Sequence, residues 1–534
     1  MDANVTTDVD LVSHLSERGE FDFIVVGSGI GGGILAQQLA AAKKRVLVVE
    51  KGGLVFSTHC LNTSRPHWQV GSVNGPSQDN DIVFNTVKSK VQTAAGSDPY
   101  VGGPVYCLGG RSTVWGLYAP RVSQQTIDKY FPQRLGRYLR DDENDPQNNN
   151  GYKKAFRFMS NSSQEDGFYP SGENPMQDFS RIKQQLEEAI REHDPEATGV
   201  ELAPIAGEFK SLRRYQFPKG AYSTVDGLLG MAYAKNEFLT ILLKVEAISV
   251  TKPVDSPTHC LAVRTMSDGR QFSFKANKAI ILCAGTIDTA RIALRSDIPD
   301  AAKRNVGKGL TDHEIWGVRF HRETAKRLPP LKLQSNITLR DRKALLNVVV
   351  NADTFFGSES SSTSLHISSQ YFDEGGRLAS LCARSHDCNT VNVTLEFSAD
   401  LVNESRVLNT PSSEPVICVQ RRSLQDENSE RSMQDLATSI RNRILDIQSA
   451  PCAPRLLGAG FGVVAHEVGT MRLKGPNTTS DYVVEDTYKV RDCPDLYVCD
   501  LSVFPVSPPA NPTLTLAAMA LQLAEDLVRE STSE

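Results

Sequence analysis

A glycine-rich turn near the beginning of the chain has the residue types and the spacing of a phosphate-binding loop. Gly27, Gly29 and Gly32 satisfy the pattern GxGxxG. In such a turn the first glycine permits a tight bend, the second lets the backbone approach a pyrophosphate, and the third lets a helix pack closely on a strand. Glu50 follows Gly27 by 23 residues, near the spacing expected of an acid that binds an unphosphorylated ribose. These residues predict binding of a dinucleotide, either FAD or NAD.

A second stretch of small residues favours FAD over NAD. Residues 109–116, with the sequence GGRSTVWG, include Gly110, Ser112, Thr113 and Trp115. A backbone with few side chains can approach a flat ring closely, as binding of an isoalloxazine would require. The alternative interpretation is a tight loop whose tryptophan packs in the core.

The elements that must position the glycine turn are contained in residues 21–50. An apolar run at 21–26, a helical stretch at 34–44 and a second apolar run at 45–50 predict a strand–helix–strand unit with the glycines between the first strand and the helix. A further apolar run, AIILC, leads into small residues at Ala284 and predicts another buried strand.

The middle of the chain has a different pattern. Residues 317–455 contain alternating runs such as LLNVVVNA, which are typical of an antiparallel sheet with one covered face. Helical periodicity appears at 176–193, whereas 55–125 is predicted to be irregular and 140–151 to form an acidic loop. We therefore predict an α/β fold (α+β overall), with a Rossmann-type FAD-binding domain and a substrate domain built on an antiparallel sheet with helices.

The chain length favours two packed units. It has 534 residues, more than the roughly 250–300 at which a single hydrophobic core stops growing. We predict that a discontinuous FAD-binding domain comprises residues 1–125, 236–316 and 456–534. The substrate-binding domain is predicted at 126–235 and 317–455.

Composition argues against several other classes of protein. Charged residues make up 23% of the chain and the formal net charge is −5, which gives no basic footprint for nucleic acid. The ten cysteines form no CxxC pair, so the sequence predicts no metal site. No apolar run approaches the ~20 residues of a membrane helix, and the polar N-terminus does not resemble a signal peptide. These features predict a cytoplasmic protein without a membrane or nucleic-acid partner.

Several separated blocks together resemble the glucose–methanol–choline (GMC) oxidoreductases. The blocks follow that family's order from the beginning of the chain to its end: the glycine turn with Glu50, GGRSTVWGLYAPR, AIILCAGTIDTARIALRS, NVGKGLTDH, HEVGTMR and LYVCDLSVFPVSPPANPTLTLAAMAL. Within this group the tryptophan loop is most similar to that of pyranose oxidases. Those enzymes carry a histidine covalently bonded to FAD directly before the tryptophan, whereas Val114 stands here. The resemblance therefore implies non-covalent FAD.

The same resemblance implies further contacts with the cofactor. Val245 matches the position whose backbone touches adenine. Asp500 matches the acid near the ribitol and phosphate end of the flavin. Thr513 matches the position whose N–H approaches the pyrimidine side of the flavin.

Two residues near the C-terminus match the catalytic positions of the family. His466, in VVAHEVGTMR, is expected to act as a base, since the ordinary pKa of histidine, ~6.5, suits proton removal from a hydroxyl group. Asn511, in PPANPTLT, is expected to hold the substrate oxygen so that the C–H bond lies over flavin N5. His313, in LTDHE, matches a turn of the family and is predicted to be structural.

The predicted reaction is FAD-dependent oxidation of a CH–OH group in a small hydroxylated substrate, with hydride transfer to flavin N5. Electrons then pass to O₂ or another acceptor. Two alternatives remain open at the level of the sequence. The same fold could perform lyase-type or decarboxylase chemistry, or the protein could be an NAD-dependent dehydrogenase.

Overall fold

The computed structural model describes most of the chain. The described residues are 5–18, 20–62, 80–141, 150–160, 175–197, 199–208, 219–254, 258–323, 328–329, 331–351, 388–420, 426–447, 456–476, 478 and 480–531. The predicted acidic loop at 140–151 therefore lies largely outside the described residues.

Helices and strands alternate through the first part of the chain, and strands dominate its middle. The strands are β1 (Val5–Thr6), β2 (Phe21–Val26), β3 (Val46–Glu50), β4 (Gln92–Thr93), β5 (Glu201–Leu202), β6 (Gly207–Glu208), β7 (Gly220–Ala221), β8 (Leu239–Leu243), β9 (Val245–Thr251), β10 (Cys260–Thr265), β11 (Gln271–Leu282), β12 (Glu314–Glu323), β13 (Leu331–Leu339), β14 (Arg342–Val350), β15 (Cys388–Phe397), β16 (Arg406–Leu408), β17 (Val416–Cys418), β18 (Leu457–Gly458) and β19 (Leu496–Val498). The α-helices are α1 (Val9–Arg18), α2 (Ile30–Ala41), α3 (Asn80–Val87), α4 (Gln124–Tyr130), α5 (Gln133–Leu139), α6 (Gly151–Ser160), α7 (Pro175–Arg191), α8 (Thr224–Tyr233), α9 (Thr286–Leu294), α10 (Asp300–Lys303), α11 (Glu427–Ile444) and α12 (Thr513–Glu530).

The larger sheet has eight strands in the order β1-β8-β3-β2-β11-β10-β9, and β19 also pairs with β11. Its pairs are parallel from β1 to β11 and between β11 and β19, whereas β10 and β9 run antiparallel. Helices α1 and α2 pack on this sheet, so the central strands β2 and β3 are apolar on both faces. The predicted strand–glycine turn–helix–strand unit is present as β2, α2 and β3.

The smaller sheet is antiparallel throughout, in the order β18-β12-β15-β14-β13-β5. One face of β13, β14 and β15 is apolar and forms a core with α7 and α11. The predicted alternation thus corresponds to a sheet with one face covered by helices. The fold class predicted from the sequence is confirmed.

The packing also departs from sequence-based expectation in places. Residues 80–87 form α3 within the stretch predicted to be irregular. The apolar run at 495–504 forms strand β19 only as far as Val498, and a short 3₁₀ turn follows at Leu501–Val503. Helices α4, α5, α6 and α8 pack in the core of the larger sheet together with α2 and α12, although the prediction placed them in the substrate domain. The domain boundaries remain a prediction. Among the described residues, no helix is long and apolar enough to cross a membrane.

Candidate active site

A cavity of about 310 Å³ lies between the two sheets. The larger sheet reaches the cavity with the carboxyl ends of β2, β3 and β11, whereas the smaller sheet reaches it with residues from one face of β13, β14 and β15. In parallel sheets the crevice outside the carboxyl ends of the strands is the usual place for a ligand. One side of the cavity is therefore the crevice at the strand ends of the larger sheet, where a nucleotide could bind. The other side is formed by side chains of the smaller sheet.

The glycines of the first turn have the separate roles that their positions predict. Gly27 has φ +94°, and a Cβ there would meet Cys283 O at 2.5 Å. A Cβ on Gly32 would lie 2.1 Å from Gly27 O, so this glycine lets α2 pack on the turn. Gly29 lines the cavity, and a Cβ there would meet nothing within 4 Å. Only at Gly29 would a side chain extend into space without disturbing the protein, which is where a close ligand approach requires glycine.

Three helices begin at the cavity wall. The first residues of α2, α9 and α12 (Ile30, Thr286 and Thr513) all line the cavity. The N–H groups of a first helical turn lack partners within the helix, and the helix dipole makes that end partly positive. Such an arrangement suits a pyrophosphate or another electron-rich group. The cavity therefore fits an anionic dinucleotide.

Glu50 lies in the cavity wall at the end of β3 and is held by the glycine turn. Its Oε2 accepts from Ser28 Oγ at 2.6 Å, and its Oε1 accepts from Gly52 N at 2.8 Å. Burial raises the pKa of the Glu50 carboxyl, and the hydrogen bonds from Ser28 and Gly52 oppose that rise. Each carboxylate oxygen can accept more than one hydrogen bond, so Glu50 keeps capacity for a ribose hydroxyl.

Asp500 and Ala284 are joined through Thr289, whose Oγ1 accepts from Ala284 N at 3.0 Å and donates to Asp500. The Asp500 carboxylate accepts from Gly285 N at 2.9 Å and from Thr289 Oγ1 at 2.5 Å. These bonds tie the beginning of α9 to the segment that follows β19. Burial raises the pKa of Asp500, opposed by its hydrogen-bond donors. Asp500 thus has a structural role as well as a place in the cavity wall.

Arg111 fixes the loop that carries His466. Its Nη1 donates to Ala465 O at 2.6 Å and to Glu467 Oε2 at 2.7 Å, the two residues that flank the histidine. Its Nε donates to Gly103 O at 3.1 Å. Ala465 has φ +58°, an uncommon conformation for a residue other than glycine. The guanidinium therefore stabilises a turn that directs His466 into the cavity.

The hydrogen bonds of His466 define which of its nitrogens is free. His313 Nδ1 lies 3.0 Å from Pro508 O, and because a carbonyl only accepts, this nitrogen carries the proton. In the neutral ring His313 Nε2 is then an acceptor, and it lies 3.0 Å from His466 Nδ1. His466 Nδ1 consequently donates, which leaves Nε2 of His466 unprotonated. Asn511 Nδ2 lies 3.4 Å from this Nε2.

Both imidazoles are held in the neutral form. Burial lowers the pKa of His466 well below its ordinary value, and the neighbouring His313 and Arg111 lower it further. Burial also lowers the pKa of His313, opposed by the carboxylate of Glu396. His466 Nε2 can therefore accept a proton at neutral pH. Asn511 Oδ1, buried beside it, has no hydrogen-bond partner among the described residues.

The predicted site residues fall into two groups. Most of them line the cavity: Gly27, Gly29, Glu50, Gly110, Ser112, Trp115, Val245, Ala284, His466, Asp500, Asn511 and Thr513. Gly32 and Thr113 lie behind its wall. The Thr113 hydroxyl donates to Gly110 O at 2.9 Å, so this side chain holds the loop rather than reaching the cavity. The roles of all these residues remain predictions.

Sequence reasoning missed residues whose roles depend on distant partners. His313, predicted to be structural, contacts His466 across 153 positions of sequence. Arg111 lies in the middle of a block that was recognised, but only the tertiary structure pairs it with Glu467. Asn347 and Glu396 were missed as cavity residues. Both are polar residues within alternating apolar runs, and this pattern could have indicated that they face away from the apolar core.

The sequence matches the family model for GMC oxidoreductases in two parts. The N-terminal part matches residues 207–315 and the C-terminal part matches residues 385–520. Among curated proteins, none matches this sequence.

Solved structures of similar fold extend over nearly the whole chain. Pyridoxine 4-oxidase from Mesorbium loti has 14% identity and a TM-score of 0.59, covering 95% of this chain and 99% of its own. Formate oxidase from Aspergillus oryzae has 16% identity and a TM-score of 0.63, covering 96% and 99%. A fungal aryl-alcohol oxidase has 16% identity and a TM-score of 0.54, covering 96% and 100%. At these identities the likeness concerns the fold alone.

The fold, a Rossmann-type sheet that faces an antiparallel sheet across a cavity, is shared with these solved oxidases. The two family matches give the narrower assignment: the chain belongs to the GMC oxidoreductase family. Members of this family bind FAD. The cavity fits that cofactor, since the open position at Gly29 beside the N-terminus of α2 suits its pyrophosphate and the N-termini of α9 and α12 suit other electron-rich groups.

Proposed function

We propose that the protein oxidises a CH–OH group of a small organic substrate, with FAD held non-covalently and with O₂ or another acceptor taking the electrons. One observation carries this proposal. The unprotonated Nε2 of His466 and the amide of Asn511 lie side by side in the wall of the cavity that fits the dinucleotide. A base next to an amide donor is the pair that removal of a hydroxyl proton requires.

The cofactor would be held along the carboxyl ends of the larger sheet. The proposed contacts are Gly27 and Gly29 with the pyrophosphate, Glu50 with ribose, Val245 with adenine, and Asp500, Thr513, Ala284, Gly110, Ser112 and Trp115 around the flavin. When bound, FAD supplies the acceptor for the hydride that leaves the carbinol carbon.

The protein side of the reaction is a proton transfer. His466 Nε2 has one lone pair, so the substrate hydroxyl must displace the 3.4 Å contact from Asn511 Nδ2, whose N–H groups can then hold the substrate oxygen. The hydroxyl proton passes to His466 Nε2, and the C–O bond gains double-bond character as the C–H bond breaks. The imidazolium so formed keeps its Nδ1–H bond to His313 Nε2 at 3.0 Å, which holds the ring in one orientation. A base poised in this way contributes about 10²–10⁴-fold to the rate.

Two observations support non-covalent attachment. Val114, which lines the cavity where pyranose oxidases carry the linked histidine, has no nucleophilic atom. Cys283 also lines the cavity, but burial raises the pKa of its thiol well above the ordinary value and keeps it protonated. We therefore expect denaturation to release FAD into solution.

Anaerobic titration of the purified holoenzyme with alcohols tests the proposed function. Loss of the visible absorption band of oxidised flavin, with one carbonyl product per flavin, is expected. Turnover without loss of that band would instead indicate lyase-type chemistry. A colourless protein that binds NAD would overturn the assignment of the cofactor, and flavin that stays with the denatured chain would overturn non-covalent attachment.

A further inference from the structure

The wall opposite the dinucleotide crevice is the polar face of the smaller sheet. Lys332, Asn347, Thr394 and Glu396 line the cavity from three neighbouring strands. Asn347 is directly opposite Thr394, and Lys332 is opposite Val349, so these side chains share one face. The alternate residues of the same strands pack in the apolar core beneath α7 and α11.

Two oxygen atoms on this wall have no hydrogen-bond partner in the part of the chain that the structure describes. Asn347 Nδ2 donates to Glu396 Oε1 at 2.7 Å, which fixes both side chains. The other oxygens, Asn347 Oδ1 and Glu396 Oε2, are buried and unpartnered among the described residues. The two residues are only 4% and 2% exposed. Leaving a buried polar atom without a partner is unfavourable, so a site with two such atoms is suited to a ligand that supplies partners.

These atoms lie close to the catalytic pair. Glu396 Oε2 is 3.8 Å from His313 Nε2, which is itself 3.0 Å from His466 Nδ1. Asn511 Oδ1, the third unpartnered oxygen, belongs to the pair itself. Asn347 and Glu396 line the same cavity as His466 and Asn511, so a ligand whose first hydroxyl faces His466 can direct a second polar group to Asn347 and Glu396.

The charges on the wall favour an uncharged ligand. The Lys332 ammonium lies 3.8 Å from the centre of the Tyr118 ring, and its charge opposes the rise that burial causes in the pKa of Glu396. One buried cation and one buried acid leave little net charge. A hydroxyl group suits such a wall better than an ammonium group because it adds no charge. It can donate to one of the two oxygens, and a further hydroxyl group or a water can donate to the other.

We propose that Asn347 and Glu396 form a specificity subsite that binds a second hydroxyl group of the substrate, so that the enzyme prefers uncharged alcohols with two or more hydroxyls. This inference rests on the proposed function, because the first hydroxyl is the one that faces His466. Simple aliphatic or aromatic alcohols would leave the two oxygens without partners and would be bound less well.

Matched alcohols of one carbon skeleton test the preference in the FAD-loaded enzyme. Anaerobic flavin reduction would be compared for cyclohexanol and trans-cyclohexane-1,2-diol, and for butan-1-ol, butane-1,2-diol and 2-aminobutan-1-ol. The apparent second-order rate constant for flavin reduction should be at least about tenfold higher for the diols than for the mono-ols. Equal or faster reduction by the mono-ols, or a preference for the amino alcohol, would overturn the subsite.

Variants connect the preference to the two side chains. Asn347→Leu should lower the diol-to-mono-ol ratio by about tenfold. Asn392→Leu is the matched control, because Asn392 lies on the same face of β15 but outside the cavity wall, and its ratio should match the parent. Glu396→Gln removes a carboxylate whose charge offsets that of Lys332, so 2-hydroxybutanoate should gain about tenfold relative to butane-1,2-diol. Unchanged ratios in both cavity variants would overturn the assignment.

A binding measurement separates failure of this inference from failure of the proposed function. If no alcohol reduces the flavin, the proposed oxidation is wrong. The subsite then stands only if diols perturb the spectrum of the oxidised flavin at lower concentrations than mono-ols, and if Asn347→Leu removes this difference. If the mono-ols reduce the flavin as fast as the diols, the oxidation stands and the subsite is wrong. Folding of each variant is checked by its flavin content and melting temperature.

Discussion

The larger sheet reaches the cavity with the ends of its strands, whereas the smaller sheet reaches it with one face. At the strand ends the backbone is exposed: Gly29 lies open to the cavity, and helix N-termini begin beside it. On the face of the smaller sheet, side chains such as Asn347 and Glu396 form the wall. We call the first the backbone wall, because it depends on the absence of side chains. We call the second the side-chain wall, because it depends on the identity of its side chains.

This difference determines how each wall should respond to substitution. Adding a single side chain to the backbone wall fills space that the cofactor needs, so the loss should be nearly complete. Changes in the side-chain wall remove individual hydrogen bonds and should act by degrees. Substitutions of His466 and His313 should have intermediate effects on the rate, because both side chains act on the transfer of a single proton.

The largest effect is expected from Gly29→Val. The Cβ of the new side chain would meet no described protein atom within 4 Å and would point into the cavity, so we expect the fold to persist while FAD content falls by about tenfold or more. Gly31→Ala provides the contrast, since its Cβ would lie 2.0 Å from Cys499 O and should destabilise the fold itself.

The measurements are the flavin-to-protein ratio and the melting temperature of the apoprotein. Gly230→Val is the control, because Gly230 is also open but lies outside the cavity wall. Full flavin content in Gly29→Val would contradict the idea that the backbone wall receives the cofactor.

Replacement of the proposed base should have the next largest effect. In His466→Ala the rate of anaerobic flavin reduction should fall by about 10²–10⁴-fold, because no group remains to accept the hydroxyl proton. Flavin content should be retained. The exposed His14 on α1 supplies the control His14→Ala, for which the rate should be unchanged. A decrease of less than tenfold in His466→Ala would remove His466 from the role of base.

A smaller effect is expected from the positioning residue His313. His313→Leu leaves His466 Nδ1–H without an acceptor, and the loss of that bond should lower kcat for flavin reduction by about ten- to hundredfold. His313→Gln keeps an acceptor oxygen and should recover much of the rate. A purely structural role would not distinguish these two variants in kcat while both retain flavin.

The control for His313 is another buried histidine. His259 Nδ1 is bonded to Asp495 Oδ1 at 2.7 Å and lies outside the cavity wall. His259→Gln should therefore leave kcat unchanged, even if it lowers the melting temperature.

The smallest expected effect concerns how the rate of flavin reduction depends on pH. Because the pKa of His466 lies well below the ordinary histidine value, the base stays neutral as pH falls from about 8 to about 6.5, and the rate of flavin reduction should stay constant over this range. The rate should decline only at lower pH, where the imidazole becomes protonated. In His313→Gln the loss of the neighbouring imidazole should move this decline to higher pH. A midpoint at or above about 6.5 in the parent enzyme would contradict the buried, neutral base.

The backbone wall could be predicted well from the sequence. The unit β2–α2–β3 is local, and the steric needs of Gly27 and Gly32 act within a few residues of chain or against the adjacent strand. His466 and Asn511 were found through the resemblance to GMC oxidoreductases, and the structure brings them to 3.4 Å of one another. Thr113 was placed in the site because it lies in a matching block, yet its side chain turns to Gly110.

The sequence by itself determined the local features: the glycine turn, the strand pattern and the alternation that gives the smaller sheet one polar face. These follow from backbone sterics and from the periodicity of side chains, which need no distant partner. Only the tertiary structure decided that His313 fixes the proton of His466, that Arg111 holds the loop around it, and that Asn347 and Glu396 face the same cavity. Each of these relations joins residues far apart in the chain, and a hydrogen bond depends on distance in space rather than on spacing in sequence.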